Sequence, residues 1–245
     1  MIPTVLHTLW PGDDPFRTEF CQWRETWVRH NPDWSLRFWR TEPTGDARVD
    51  RIVSSPLYTP VFKSDVLRWA VLLAHGGFYV DADVECLRPW DAVRAAAPTG
   101  FLCAREPAWP RRSWETTPAP PELSNAVLGA RPHHPFVRHM LEGVIARAER
   151  AGVEACNRPG ATNAVSGPIA LSRAAYGRSD VTVVPTEWFF PEAAPGNEEA
   201  LGELACGQTP SRIDLGDSFA RHHWNAGTRD GHRRMLEASA LAGGG

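Results

Sequence analysis

Residues 61–91 read VFKSDVLRWAVLLAHGGFYVDADVECLRPWD, and this stretch decides the fold class. Apolar residues recur in it at positions i, i+3, i+4 and i+7, so its first half predicts a helix that stops at the double glycine 76–77. The apolar triplet 78–80 then predicts a short strand, which leads directly into Asp81 and Asp83. A helix, a tight glycine turn and a strand in this order are typical of α/β proteins.

Runs of β-branched and apolar residues bounded by turn residues predict the other strands, and 3.6-residue periodicity predicts the other helices. The predicted strands are 4–10, 35–39, 99–104, 124–130 and 181–185. The predicted helices are 18–29, 132–152, 163–178 (entered at Gly167-Pro168) and a short terminal helix at 233–242. A proline-rich segment without periodicity predicts a long loop at 105–123.

The composition excludes several classes of protein. With 245 residues and 42% hydrophobic residues, the chain can bury a sizeable core. Its net charge of −3 gives no basic surplus, so nucleic acid is not predicted as a partner. The longest apolar run, 66–74, contains Arg68 and is too short to span a membrane. The start of the sequence does not resemble a signal peptide, and the five cysteines form no CxxC pair, so we expect a cytoplasmic protein.

Asp81 and Asp83 are the candidates for chemistry. If both belong to a strand, positions i and i+2 face the same side and can line one pocket. Pockets in α/β sheets form at the carboxyl ends of strands. Two adjacent carboxylates repel each other unless a cation lies beside them, and hard oxygen ligands suit Mg²⁺ or Mn²⁺ together with the oxygens of a diphosphate. A charged turn without a ligand is the simpler interpretation of so short a pattern.

A phosphatase of the haloacid dehalogenase type also carries Asp-x-Asp after an apolar strand. That chemistry needs a lysine downstream of the aspartates, and Lys63 is the only lysine of the chain. Glu85 also stands where such enzymes have Thr or Val. The absence of GxxxxGK[ST] argues against a P-loop.

Two polar residues interrupt the apolar helix that precedes the aspartates. Asp65 and Arg68 are spaced i, i+3 and therefore share a helix face. Arginine is suited to bidentate contact with phosphate and other oxygen ligands. A local surface ion pair is the alternative explanation for the same spacing.

The segment 61–91 resembles the DXD region of a family of sugar-binding glycosyltransferases. This family includes fungal initiating mannosyltransferases, bacterial capsular and polysaccharide transferases and, more remotely, the clostridial glucosylating toxins. The matching residues are Ser64, Asp65, Arg68, Gly76, Gly77, Tyr79, Asp81 and Asp83. Further similar blocks follow in the order of the family, namely IPTVLHTLW (2–10), NPDWSLRFW (31–39), NAVLGARPHHP (125–135), SGPIALS (166–172) and FARHHW (219–224).

The resemblance implies a fold and a set of functional residues. It implies one GT-A type nucleotide-diphospho-sugar transferase domain over residues 1–245, with a Rossmann-like mixed central sheet flanked by helices. The implied catalytic residues are Asp81, Asp83 and Arg68. The implied donor-binding residues are Trp10, Ser64, Asp65, Arg68, Tyr79, Asp81 and Asn125. The implied metal ligands are Asp83 directly, Asp81 through a water molecule, and His222 from the C-terminal tail 217–245, with His223 as the alternative.

The resemblance also implies an activity. The expected reaction is metal-dependent transfer of a hexose-type sugar, with retention of configuration, from a nucleoside-diphosphate donor to a glycan or small-molecule acceptor. An imidazole ligand favours Mn²⁺ over Mg²⁺, a UDP-sugar is the favoured donor, and GDP-mannose is the runner-up. The loop 105–123 is expected to act as an acceptor-side lid. A nucleotide-sugar phosphohydrolase and an inactive sugar-nucleotide-binding module are the alternatives.

The sequence departs from the family pattern after the FARHHW block. Family members often continue with Ser-Trp, whereas this chain has Gly227, Thr228 and Arg229. A contact from that tryptophan to the leaving diphosphate is therefore not expected here.

Overall fold

The computed structural model describes residues 1–12, 18–106, 123–158, 161–191 and 215–223. The strands in these ranges are β1 (Val5–Leu9), β2 (Ser35–Trp39), β3 (Gly77–Val80), β4 (Val84–Cys86), β5 (Phe101–Arg105), β6 (Leu123–Ala130), β7 (Thr182–Val184) and β8 (Ala220–His222). The helices are α1 (Thr18–His30), α2 (Ala47–Ser54), α3 (Pro60–His75), α4 (Asp91–Ala95), α5 (Pro135–Asn157), α6 (Ala161–Val165) and α7 (Pro168–Ala175).

Six strands form one mixed sheet in the order β2-β1-β3-β6-β5-β7. β1 pairs in parallel with β2 and β3, and β5 pairs in parallel with β7. β6 runs antiparallel to both of its neighbours, β3 and β5. All eight residues of β6 are buried, as expected for a central strand covered on both faces. The predicted mixed sheet flanked by helices is confirmed.

The central helix α3 begins and ends as its sequence requires. The side chain of Thr59 accepts a hydrogen bond from the backbone N–H of Phe62, and Pro60 occupies the first turn, where its missing N–H costs nothing. The helix ends at Gly76, whose φ of +62° suits glycine.

The double glycine lets α3 turn sharply into β3. A Cβ atom at Gly76 would lie 2.5 Å from the side chain of Pro132. A Cβ atom at Gly77, whose φ is +91°, would run into the backbone carbonyl of Val5 on β1. Only glycine therefore allows β3 to start directly beside β1, and this start fixes where the following aspartates emerge.

Apolar side chains pack on both faces of the sheet. Along β3 the side chains alternate, since Tyr79 belongs to the core beneath α3 and α5, whereas Phe78 and Val80 belong to the core on the opposite face. Large aromatic residues dominate that second core, among them Trp27, Trp90 and Phe189. No helix in the described ranges is long and apolar enough to cross a membrane.

Two of the predicted helices differ from the observed ones. The helix predicted at 132–152 starts at Pro135 and continues to Asn157, with a break at Gly152, whose φ is +77°. The helix predicted at 163–178 is instead two short helices, α6 and α7, because the backbone leaves the helical conformation at Gly167.

Four elements were not predicted, namely α2, α4, β4 and β8. β4 and β8 pair with each other in a separate two-stranded sheet. The interior of the loop 105–123, residues 107–122, lies outside the described residues, as do the terminal helix at 233–242 and the tail from residue 224 onward.

Candidate active site

The two aspartates lie in the turn between β3 and β4. The backbone N–H of Asp81 donates to the carbonyl of Ala126 (2.9 Å), and the N–H of Val84 donates to the carbonyl of Asp81 (3.1 Å). The expectation that Asp81 and Asp83 share one face of a strand is therefore wrong, because β3 ends at Val80. The turn brings the two carboxylates together instead.

A histidine from the far end of the chain completes this group. β8 pairs antiparallel with β4 so that His222 lies opposite Val84. The Nε2 atom of His222 is 3.1 Å from Oδ1 of Asp83, and both side chains are buried. Ligand atoms of Asp81, Asp83 and His222 all lie within 4.8 Å of one another.

This group fits a divalent cation. Two carboxylates and one imidazole offer hard oxygen ligands and one nitrogen ligand, a set that suits Mn²⁺ and, less well, Mg²⁺. The spacing of the ligand atoms allows the three side chains to share one ion.

His223 points away from this group. Its Nε2 atom is 3.0 Å from Oε2 of Glu85, and its ring stacks on Trp23 with centroids 4.2 Å apart and an interplanar angle of 13°. Of the two adjacent histidines, His222 is the one that the fold brings to Asp83.

Burial and charge shift the protonation of the group. Burial raises the pKa of the Asp81 carboxyl above its ordinary value; the cation of Arg68 offsets part of this rise, and the carboxylate of Asp83 adds to it. Burial alone would lower the pKa of His222, but Asp83 and Asp81 outweigh it and raise the pKa. Both groups therefore bind a proton more readily than the free side chains do, and a cation would compete with protons for them.

Arg68 is a buried residue of α3, and its guanidinium reaches four protein oxygens. Its guanidinium donates to the backbone carbonyls of Ser64 (3.3 Å) and Asn125 (2.5 Å). It also pairs with Asp65 at 2.9 Å and with Asp81 at 3.4 Å. Burial opposes its charge, but Tyr79, Asp65 and Asp81 together raise the pKa of Arg68 above its ordinary value, so it remains a cation.

Asp65 is the hub of a buried polar network. Its Oδ1 atom accepts from Nδ2 of Asn125 (3.0 Å) and pairs with Arg68, while its Oδ2 atom accepts from the hydroxyl of Ser166 (2.6 Å). Burial raises the pKa of Asp65, and these three partners counteract the rise. Asp65 and Arg68 form the i, i+3 ion pair that was the alternative explanation of their spacing, but the pair lies in the interior rather than at the surface.

Tyr79 joins the network to the aspartates. Its hydroxyl donates to the carboxylate of Asp81, and its ring lies 4.5 Å from the guanidinium carbon of Arg68. Burial raises the pKa of Tyr79 well above 10, so the hydroxyl stays protonated and continues to donate. Asp81 is thus held by both Tyr79 and Arg68.

The structure brings most of the predicted site residues together. Asp65, Arg68, Tyr79, Asp81 and Asn125 form one connected network, and Ser64 contributes its carbonyl to that network.

Trp10 follows β1 and packs edge-on against Phe20, with ring centroids 5.2 Å apart. Phe20 in turn contacts Trp23, and the ring of His223 stacks on Trp23. A continuous row of aromatic rings therefore runs from Trp10 to His223, the residue next to His222.

Sequence reasoning assigned no role to Ser166 or to Trp23. Ser166 lies in the SGPIALS block, but its partner Asp65 is 101 positions away, so no local sequence pattern predicts their hydrogen bond. Trp23 lies within the predicted helix 18–29, which gave no sign of its contact with His223.

Comparison with known proteins finds a family match for the part of the chain that contains Asp65, Arg68 and the two aspartates. Residues 18–99 match the family described as a glycosyltransferase sugar-binding region containing the DXD motif. Inositol phosphoceramide mannosyltransferase 2 of Schizosaccharomyces pombe is 26% identical over 153 residues, which is 59% of this chain. Mannosyl phosphorylinositol ceramide synthase CSH1 of Saccharomyces cerevisiae is 24% identical over 150 residues, again 59% of this chain. The chain spans only 39% and 35% of the lengths of these two relatives.

Solved structures agree on the fold. The PaToxG glycosyltransferase superimposes with a TM-score of 0.53 at 16% identity, covering 71% of this chain and 69% of that one. The galactosyltransferase LgtC superimposes with a TM-score of 0.51 at 12% identity, covering 97% of this chain and 95% of that one. The predicted GT-A fold is confirmed. Residues 18–99 of this chain therefore match the same family of DXD-containing glycosyltransferases that the sequence resembles.

Proposed function

We propose that the chain transfers a hexose-type sugar from a nucleoside-diphosphate donor to an acceptor in a metal-dependent reaction that retains the anomeric configuration. One observation carries the proposal, namely that Asp81, Asp83 and His222 offer ligand atoms within 4.8 Å of one another. The DXD turn is thereby joined to a histidine from β8, which supports the predicted role of the tail 217–245 in completing the metal site.

Each residue has a distinct role in this proposal. Asp83 and His222 would hold Mn²⁺, or Mg²⁺ in its place, with Asp81 acting through a water molecule. The bound cation would supply Lewis-acid stabilisation of the leaving nucleoside diphosphate. Arg68 adds a fixed positive charge beside Asp81 and would favour the charge that develops on that leaving group.

The donor sugar would lie beside the buried network. Asp65 and Asn125 are held rigidly by each other and by Ser166, so their remaining hydrogen-bonding capacity can be aimed at sugar hydroxyls. Ser64, Tyr79 and Trp10 complete the proposed donor site, with the Trp10 ring near the nucleotide base. Rigid placement of such groups favours the transition state because little reorganisation is needed.

The carboxylates of the network support same-face attack. Asp65 accepts from three donors, and Asp81 is held by Tyr79 and Arg68. Because these contacts occupy both carboxylates, we favour a step without a covalent nucleophile. In the proposed step the bond from the anomeric carbon to the leaving phosphate oxygen breaks, and a bond to the acceptor oxygen forms on the same face. The proton of the acceptor hydroxyl passes to the departing phosphate.

The donor identity is a narrower proposal. We favour a UDP-sugar with Mn²⁺, and GDP-mannose is the alternative because two of the matched relatives are named for mannosyl transfer. A glycan and a small molecule both remain candidate acceptors. The cytoplasmic location stays a prediction from the sequence.

A thermal-shift panel of nucleotide sugars with and without Mn²⁺ tests the proposal. One donor should raise the melting temperature only in the presence of Mn²⁺, because a ligand that binds the folded state stabilises it. Analysis of the products then separates the alternatives. A transferase releases nucleoside diphosphate, a phosphohydrolase releases sugar phosphate or inorganic phosphate, and an inactive binding module releases neither.

A further inference from the structure

β8 ends at His222, His223 follows it directly, and the pairing of β8 with β4 is only three residues long. The register places Val84 opposite His222, Glu85 opposite Arg221 and Cys86 opposite Ala220. A slip of one residue in such a ladder would turn every side chain to the other face. The slip would move the imidazole of His222 away from Asp83 and bring the imidazole of His223 to Asp83 in its place.

The side chain of His223 is held on the face opposite the aspartates. Its ring stacks on Trp23 of α1, with centroids 4.2 Å apart, and its Nε2 atom lies 3.0 Å from Glu85. Its backbone N–H donates to the carbonyl of Asp83 (2.9 Å). We call Trp23, Glu85 and His223 the histidine clamp.

The other end of β8 is anchored by backbone contacts. The carbonyl of Phe219 accepts from the N–H of Leu87 (2.9 Å) and from the indole of Trp90 (3.1 Å), and the N–H of Phe219 donates to Trp188 (2.8 Å). These contacts hold the start of β8. The clamp holds its other end, directly after the proposed metal ligand.

We propose that the histidine clamp fixes the register of β8 and thereby selects His222, rather than His223, as the third metal ligand. His223, Trp23 and Glu85 are positioning residues in this account, and none of them contacts the metal. The inference rests on the proposed metal site. Groups that orient metal ligands typically change metal affinity by about 10- to 100-fold when they are removed.

Calorimetric titration of the chelator-treated full chain with Mn²⁺ alone tests the clamp. Trp23→Ala should weaken Mn²⁺ binding by about tenfold, and His222→Ala should weaken it further. His223→Phe keeps a ring for stacking on Trp23 and cannot bind metal, so its Mn²⁺ affinity should stay within about threefold of the unmodified chain. Gln22→Ala changes an exposed neighbour on α1 and is the matched control, with no expected effect.

A second readout separates positioning from general loss of structure. Without metal, the melting temperature of each variant should stay close to that of the unmodified chain, even where its Mn²⁺ affinity falls. If Trp23→Ala does not fold, Trp23→Phe and the comparison of His223→Ala with His223→Phe replace it.

The possible results point to different failures. If the unmodified chain binds no Mn²⁺, the proposed metal site itself is wrong. If it binds Mn²⁺ and Trp23→Ala, or the variant that replaces it, binds Mn²⁺ equally well, only the clamp is wrong. If His223→Phe loses affinity as strongly as His222→Ala, His223 is a ligand and the clamp is overturned.

Discussion

The imidazole of His222 lies 3.1 Å from the carboxylate of Asp83, although 139 positions of sequence separate the two residues. The contact depends on two strands of three residues each, β4 and β8. The candidate site is therefore assembled from a local motif, the DXD turn, and a distant segment that pairs with β4 through a short ladder.

Removing Asp83 should abolish metal-dependent turnover. Asp83→Ala removes the carboxylate that contacts His222 and deletes the proposed direct ligand, so we expect release of nucleoside diphosphate to fall at least about a hundredfold. Asp91→Ala removes an exposed acid on α4 and serves as the control. Turnover of Asp83→Ala close to that of the control would refute the assignment.

Ser166→Ala should weaken both the fold and donor binding. The substitution leaves Oδ2 of Asp65 without the hydroxyl donor, and an unsatisfied buried acceptor costs about 1–3 kcal/mol. Urea unfolding should show this loss, and the KM for the donor should rise because Asp65 is less well fixed. The same change at the exposed Ser54 should alter neither quantity.

The glycine turn offers a test with an internal control. Gly77→Ala combines a positive φ with a collision against the carbonyl of Val5, and we expect a loss of about 2–5 kcal/mol in unfolding free energy. Gly177 also has a positive φ (+72°) but has open space around it, so Gly177→Ala should cost about 1–2 kcal/mol. Equal losses in denaturant unfolding would show that the contact with β1 is unimportant.

Stability at acidic pH should depend on His7. Nε2 of His7 donates to the carbonyl of Gly76 (2.8 Å), Nδ1 accepts from the indole of Trp39 (3.0 Å), and burial lowers the pKa of His7 from 6.5 to about 4. Between these two values the unfolded chain binds more protons than the folded one, so stability rises with pH from about 4 to about 6.5 and is lost as the pH falls through that window.

A comparison of unfolding curves isolates this effect. His7→Gln retains one donor and one acceptor but does not titrate, so the pH dependence should be shallower by about 3 kcal/mol at most across the window. The other acidic groups and histidines contribute equally to the pH dependence of both proteins, so their contributions cancel in the comparison. An unchanged slope would mean that His7 is not the responsible group.

The parts of the fold that depend on neighbouring residues could be predicted from the sequence. The helix α3, its glycine stop and β3 follow from periodicity and from the double glycine. α2 also carried a usable signal, since Asp46 caps it and Val49, Ile52 and Val53 lie on its buried face, but it was not predicted. The aspartates were recognised as a pair, although their placement on a strand was wrong.

The parts that depend on distant partners could not be derived from local patterns. β4 and β8 are too short to show a period and exist because they pair with each other. Ser166 matters because of Asp65, and His222 is distinguished from His223 by the packing of Trp23. His222 was identified from the order of blocks shared with a family, not from the physics of its own segment.

The late position of β8 sets an order of events during synthesis. All six strands of the main sheet are complete once β7 ends at Val184, whereas His222 emerges from the ribosome later. Chains grow at about 5–20 residues per second, so the gap of about 40 residues lasts roughly 2–8 s. A newborn chain can build its main sheet during this interval while it still lacks His222, so the proposed metal site is completed only after the main sheet.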